Sequence, residues 1–245
     1  MHEELPELTE GHLLGGRVRY AQPRVGYRTG IEPVLLAAAV PAKPGDCVLE
    51  AGCGAGAALL CLAARVPGIA GLGVERDPAV AAVAKHNFAL NVSNALTIQV
   101  GDVSDLPRRP AFDHVFANPP WHDEHSTASP DPARDQAKRA RAGLLEAWIT
   151  VLLAALKPGG SITLILPAQQ FARACACIMA ARSGAIDLLP LWPRAGVPAK
   201  LALITARKDR DGAARILPGL PLHQGNGYSA EAEQILREGG AISWE

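Results

Sequence analysis

An acid followed by alternating glycines is the first group able to do chemistry: Glu50 closes the apolar run Val48-Leu49, and Gly52, Gly54 and Gly56 follow it. Glycines at this spacing permit a tight strand-to-helix turn and let a ligand approach the backbone closely. The dinucleotide fingerprint is GxGxxG with pyrophosphate on the amides of the next helix, whereas this loop reads GxGxG behind a carboxylate. Such an acid repels a diphosphate and attracts a cation. S-adenosylmethionine carries a sulfonium and an ammonium group, so Glu50 points to that cofactor rather than to a nicotinamide dinucleotide, and no residue suited to hydride transfer accompanies it.

Two further acids stand at the ends of the next apolar runs. Glu75 lies about 20 residues past the glycines, where a carboxylate can accept from both hydroxyls of a ribose. Arg76 follows it, then Asp77 and Pro78, a good cap and a good first helical residue. Asp102, in Gly101-Asp102-Val103, is placed to accept from an adenine amino group. The fourth run ends Asn118-Pro119-Pro120-Trp121. Consecutive prolines stiffen the chain and remove two amide donors. The Asn118 side-chain oxygen and the Pro119 carbonyl can then accept both hydrogens of a planar amine and free its lone pair for a sulfonium methyl. Trp121 offers a flat face to a base taken out of its stack.

The elements that must position these residues alternate. Short β-branched runs at 47–50, 71–75, 96–100, 114–117, 161–166, 186–191 and 201–205 are separated by alanine-rich stretches predicted helical at 57–65, 78–90, about 133–156 and 169–182. That is the pattern of a parallel sheet covered by helices. Lys157-Pro158-Gly159-Gly160 is expected to stop the long third helix. Residues 45–206 read as one α/β domain, 1–44 as a basic arm with a lead-in helix around Leu35-Leu36-Ala37, and 207–245 as a polar tail with a turn at 223–228 and a short helix capped by Ser229.

Composition sets outer bounds. Twenty-four basic and 24 acidic side chains leave no formal charge, which argues against a protein that coats nucleic acid indiscriminately but leaves room for a local basic patch. Five cysteines, an odd number without CxxC spacing, predict neither a disulfide framework nor a zinc site. The acidic start and the absence of a long uncharged apolar run predict a soluble, cytoplasmic enzyme. His122 and His125 flank Asp123 and Glu124, yet the chemistry above needs no metal. His114, inside a strand, and the Cys175/Cys177 pair are expected to be packing residues.

Together, Glu50 to Gly56, Glu75, Asp102 and Asn118 to Trp121 resemble the class I amino-methyltransferases that carry an NPPY-type motif, with Trp where Tyr or Phe is usual. The resemblance covers residues 45–206 and implies a Rossmann-like fold: a seven-stranded, mostly parallel sheet with helices on both faces and the last strand antiparallel. A narrower match extends to the flanks. Gln22-Pro23-Arg24-Val25-Gly26-Tyr27-Arg28-Thr29-Gly30-Ile31-Glu32 is similar to the amino-terminal signature of the valine-tRNA adenine-N6 methyltransferases, with Glu32 where that family more often has Asp. Gly227-Tyr228-Ser229 fits the same family.

The expected cofactor contacts are Tyr27, Thr29, Glu50, Gly52, Gly54, Gly56, Glu75, Arg76, Asp102, Val103 and Asn118. The expected catalytic residues are Asn118, Pro119, Pro120 and Trp121. Arg17, Arg19, Arg24 and Arg28 in the arm, and Arg134, Lys138, Arg139 and Arg141 after the catalytic loop, are placed to meet RNA phosphates. The resemblance implies N-methylation of adenine N6 in the anticodon loop of a valine tRNA. Guanine N2 in ribosomal RNA, a glutamine side-chain amide in a protein, and a non-catalytic RNA-binding module are the alternatives.

Overall fold

Alternate residues of each central strand are apolar on both sides, which commits the strands to a sheet buried between two layers. The computed structural model describes residues 5–25, 28–91, 94–119 and 143–245. The elements run β1 (Leu8–Leu13), β2 (Val18–Pro23), α1 (Glu32–Ala39), β3 (Cys47–Ala51), α2 (Ala57–Arg65), β4 (Ala70–Glu75), α3 (Pro78–Leu90), β5 (Leu96–Val100), β6 (Phe112–Ala117), α4 (Leu144–Ala155), β7 (Leu156–Pro167), α5 (Phe171–Ala180), β8 (Ser183–Trp192) and β9 (Leu201–Lys208). Four short strands, β10 (Arg215–Ile216), β11 (Leu220–Pro221), β12 (His223–Gln224) and β13 (Gly227–Tyr228), precede α6 (Ala230–Glu238).

The main sheet has the order β10-β8-β9-β7-β6-β3-β4-β5, with β11 also pairing β8. Strands β3 to β7 are mutually parallel, and β9 runs antiparallel between β7 and β8. This is the mostly parallel sheet expected, with β10 and β11 added at the edge. Val48, Phe116, Ile165 and Leu203 point into one core with α1, α2, α3 and α6. Their neighbours Leu49, Val115, Leu164 and Ile204 point into the other, with α4 and α5.

Local signals explain several helix ends. Asp77 Oδ1 accepts from the Ala79 and Val80 amides and Pro78 opens α3, while Ser229 Oγ accepts from Ala232 at the start of α6. Gly239, in the left-handed region, ends α6. One boundary differs from the sequence expectation. Lys157-Pro158-Gly159-Gly160 does stop α4, but as an irregular beginning of β7 rather than a turn before it, since Leu156 already pairs with Phe112 and the register shifts before His114 meets Ser161. Glycine makes this possible, because a Cβ on Gly160 would stand 2.7 Å from the Asp113 carbonyl oxygen.

The two flanks share a core with the sheet. β1 and β2 form an antiparallel hairpin whose Val18 and Tyr20 are buried while Arg17 and Arg19 face outward. Leu220, Leu222, Ile235 and Ile242 lie in the core of α1 and α2, and the Ile242 amide and Trp244 indole donate to the Ala38 and Ala39 carbonyls.

Candidate functional site

Ala51 pairs with both Val74 and Ala117, and Glu75 pairs with Val100, so the carboxyl ends of β3, β4, β5 and β6 lie level. The loops leaving them open on one edge of the sheet and gather Glu50, the glycines, Glu75, Arg76, Asp102, Val103, Asn118 and Pro119 there. Parallel strands make this edge a natural ligand site, because each strand delivers one loop to it.

The glycines have distinct tasks. All three have positive φ, 64° at Gly52, 54° at Gly54 and 83° at Gly56. A Cβ on Gly52 would stand 2.6 Å from the Trp148 ring and one on Gly56 2.5 Å from the Phe88 ring, whereas one on Gly54 would meet nothing within 4 Å. The outer two are required by side chains behind the loop. The middle one borders open space, where a ligand can lie against backbone.

Glu50 is 4% exposed, and its Oε2 accepts from the Leu59 amide in the first turn of α2 at 3.0 Å. It therefore serves α2 as a cap from nine residues away. Burial pushes its carboxyl up to about 8; the Leu59 amide pulls the other way, and the nearby Glu75 charge adds to the rise. A buried acid in this state is suited to a cationic ligand, which would restore its ionisation. Glu75 bridges two loops, Oε2 accepting from Gly54 N at 3.1 Å and Oε1 from Asp77 N at 3.0 Å. Each oxygen keeps a lone pair for a ligand hydroxyl. Asp102 accepts from the Ser104 amide and hydroxyl, which hold its carboxyl below the usual range, and it remains exposed. Arg76 is exposed beside it.

Asn118 presents the clearest vacancy of bonding. Its Oδ1 is buried and has no hydrogen-bond partner among the described residues. An acceptor left so costs about 1 to 3 kcal/mol, which a ligand N–H can recover. Pro119 is buried directly after it. Pro120, Trp121, Tyr27, Arg134, Lys138, Arg139 and Arg141 lie outside the described residues, as do His122 and His125.

Two asparagines that sequence reasoning passed over tie the hairpin to the site. Asn87, fully buried on α3, accepts from Ala21 N at 2.8 Å and donates to Ala21 O at 2.8 Å and to Ala55 O, inside the glycine loop, at 2.9 Å. One turn on, Asn91 accepts from Arg19 N at 3.0 Å and donates to Arg19 O at 2.8 Å. The legible signal was a pair of amides at i and i+4 at the end of an alanine-rich helix, since a buried amide needs partners. Beyond β2, the Tyr20 hydroxyl meets Thr29 Oγ1 at 2.8 Å and the Thr29 amide donates to Gln22 Oε1 at 3.0 Å. Burial pushes the Tyr20 phenol up to about 12, so it stays neutral. Of the arm's arginines, Arg17, Arg19 and Arg28 are exposed, and Arg24 pairs with Glu7.

His114 is far from this edge and is a packing residue, as expected. Its Nε2 lies 3.0 Å from Asp46 Oδ2 and its Nδ1 2.7 Å from Ser161 Oγ. Burial holds its pKa down against the pull of Asp46, so the neutral tautomer donates from Nε2 and accepts from the serine hydroxyl. Among the described residues no group of three His, Cys, Asp or Glu side chains is arranged to hold a metal, and no helix is long and apolar enough to cross a membrane.

Several proteins similar to this chain are methyltransferases by name. Over 151 residues the chain is 30% identical to a tRNA1(Val) (adenine(37)-N6)-methyltransferase of Actinobacillus succinogenes, spanning 60% of this chain and 64% of that protein. It is 27% identical over 221 residues to a protein of the same name from Shewanella baltica, covering 87% and 92% of the two chains. A crystal structure from Agrobacterium tumefaciens, described as that of a predicted O-methyltransferase, superposes with a TM-score of 0.72 at 24% identity, covering 86% of this chain and 98% of that one, a likeness of fold. The methyltransferase small domain family matches residues 31–179, from the start of α1 through the whole carboxyl-edge site to the end of α5, and the chain belongs to that family.

Proposed function

We propose that this protein transfers a methyl group from S-adenosylmethionine to N6 of an adenine in the anticodon loop of a valine tRNA. The observation that carries the reading is the buried Asn118 Oδ1, unpartnered among the described residues, at the end of β6, one strand over from the acid and glycines of β3. The similarity to proteins named for adenine-N6 methylation of tRNA1(Val) supports the choice of acceptor. An RNA substrate of this kind is cytoplasmic.

The residues present fit the cofactor. The open space beside Gly54 admits a ligand, Glu50 suits its ammonium group, Glu75 keeps lone pairs for a ribose diol, and Asp102 is free to accept from an adenine amine. When bound, S-adenosylmethionine supplies an electrophilic methyl on sulfur. Asn118 Oδ1 and the Pro119 carbonyl accept the two N–H groups of the target amine, which turns its lone pair out of conjugation with the ring. Trp121 stacks the extruded base. The amine proton, acidic once the nitrogen carries the methyl as its second carbon and a positive charge, leaves to water, so no strong base is required. Positioning and oriented acceptors therefore lower the barrier. Arg17, Arg19 and Arg28 on the hairpin side, with Arg134, Lys138, Arg139 and Arg141, meet the RNA backbone.

Mass spectrometry of tRNA nucleosides from a strain lacking the protein tests this reading: N6-methyladenosine should vanish from valine tRNA and return with the purified protein and cofactor. Unchanged N6-methyladenosine, with a guanine-N2 or glutamine methyl mark lost instead, would transfer the same chemistry to a different acceptor.

A further inference from the structure

The carboxyl edge continues past Asn118 on the side away from the cofactor loops, and three segments there are bound to one another. The Ala168 amide after β7 donates to the Lys200 carbonyl before β9, and the Leu222 and His223 amides donate to the Trp192 and Pro193 carbonyls after β8. Pro167 pairs with Leu201, Leu201 with Leu191, and Pro221 with Trp192, so all three segments project from the same level.

What they present is cationic and aromatic. Arg194 and Lys200 are exposed, and residues 168–171, 193–200 and 222–229 contain no acid. Phe171 is 41% exposed at the start of α5. The β12–β13 hairpin places His223 opposite Tyr228, their rings stacked with centroids 4.9 Å apart and planes 18° from parallel. Arg194 Nη1 donates to the Gly225 carbonyl at 2.5 Å, which fixes this guanidinium beside the hairpin with its other donors unengaged among the described residues. Basic groups interleaved with flat rings along one edge suit a single-stranded nucleic acid, whose phosphates need cations and whose bases need faces.

We propose that this edge, from Phe171 through Lys200 and Arg194 to the His223–Tyr228 stack, is a second RNA-binding track. It holds the nucleotides that flank the target base once that base is turned in to Asn118. The inference rests on the RNA reading above and extends it to a face assigned to nothing there. The track begins one strand from β6 and ends at β8, which lies three inter-strand steps or about 14 Å from β6. A loop whose target base sits at Asn118 thus crosses it on leaving the site, while the arginines of the hairpin reach the RNA from the cofactor side.

The test measures the affinity of full-length protein for unmodified valine tRNA across a salt series. The variants are Arg194→Gln with Lys200→Gln, Phe171→Ala, and a control, Arg108→Gln with Arg109→Gln, which removes the same charge ahead of β6 at the opposite edge. Cofactor titration of each variant reports folding. The double variant on the track should raise the tRNA Kd roughly tenfold and reduce the slope of log K against log salt by about 1.4. Phe171→Ala should weaken binding severalfold, and the control should change the Kd less than twofold. Affinity and slope equal to wild type in the track variants, or an equal loss in the control, would overturn the track alone. Failure of the wild-type protein to bind tRNA would overturn both the track and the RNA reading.

Discussion

Replacing Glu50 by Gln should strengthen the ligand-free fold and weaken cofactor binding, two effects of opposite sign from one substitution. Glu50 is buried and its carboxyl is raised from 4.5 to about 8. The raised folded value means that its contribution to stability is complete below pH 4.5 and is lost as the pH climbs toward 8, since only the unfolded chain ionises freely in that window. At 1.36 kcal/mol per unit, the loss by pH 7 is about 3 kcal/mol. Gln imitates the protonated acid and can still accept from the Leu59 amide, so it should recover most of this, raising Tm by roughly 5 to 12 °C in a chain of this length. The gain should shrink toward nothing at pH 5. Cofactor affinity should fall at least about tenfold, because a neutral amide cannot balance an ammonium group. In the wild type, binding at pH 7 should release close to one proton. Thermal melts of both proteins from pH 5 to 8.5, with calorimetry in buffers of different ionisation enthalpy, measure all of these. A variant less stable than wild type at pH 7, or a gain independent of pH, would falsify the assignment of Glu50 as a protonated buried acid awaiting a cation.

Asn118→Ala should lower single-turnover methylation of tRNA by roughly 100-fold or more with cofactor affinity nearly unchanged, the signature of an acceptor used in the transition state; a wild-type rate would remove Asn118 from the mechanism. Asn87→Asp keeps the acceptor for Ala21 N but turns the donor to Ala55 O into a second acceptor, so cofactor affinity should drop by about tenfold, and unchanged affinity would show that the glycine loop holds itself. Gly52→Ala should cost several times more stability than Gly54→Ala, because Trp148 blocks the first position and open space surrounds the second; denaturant titration of the pair decides it. His114, neutral in the fold with a depressed pKa, should add stability above pH 6.5 that is lost as the pH falls through its folded pKa, and a His114→Gln variant should show a shallower acid limb in its melting profile.

Much of the site was legible because its residue types are dictated by short-range requirements. Glycines at 52, 54 and 56 answer to backbone angles, Asp77 and Pro78 to a helix start, and Asn118-Pro119 to the end of an apolar strand. These signals survive in any tertiary context. The parts missed depend on partners distant in sequence. Asn87 gains its meaning only when Ala21, 66 residues earlier, lies against it. The hairpin of residues 8–23 read as a basic arm, because its arginines stand out in composition while the burial of Val18 and Tyr20 depends on α3 and α2 beneath them. Likewise Glu50 advertises an acid but not its task as the cap of α2, nine residues on.

The two edges of the sheet differ in how much side-chain bonding capacity their loops leave for a ligand, and that difference bears on how one fold can be both stable and reactive. At the amino edge, Asp46, His114 and Ser161 bond one another across β3, β6 and β7, and Asp113 meets both the Cys47 amide and the Lys157 ammonium at 2.9 Å. The polar groups of these side chains have found partners within the chain, while Ser183 Oγ, at the amino end of β8, has none among the described residues. At the carboxyl edge the groups gathered around the loops keep bonding capacity: Asn118 Oδ1 lacks a partner among the described residues, Glu50 is held largely uncharged, and three glycines occupy left-handed conformations. Such deficits persist only because the packed sheet beneath over-determines the loops. A cation beside Glu50 would relieve one of these deficits and leave Asn118 Oδ1, unpartnered among the described residues, at the end of β6. Cofactor binding should therefore complete the site for an amine without moving its strands.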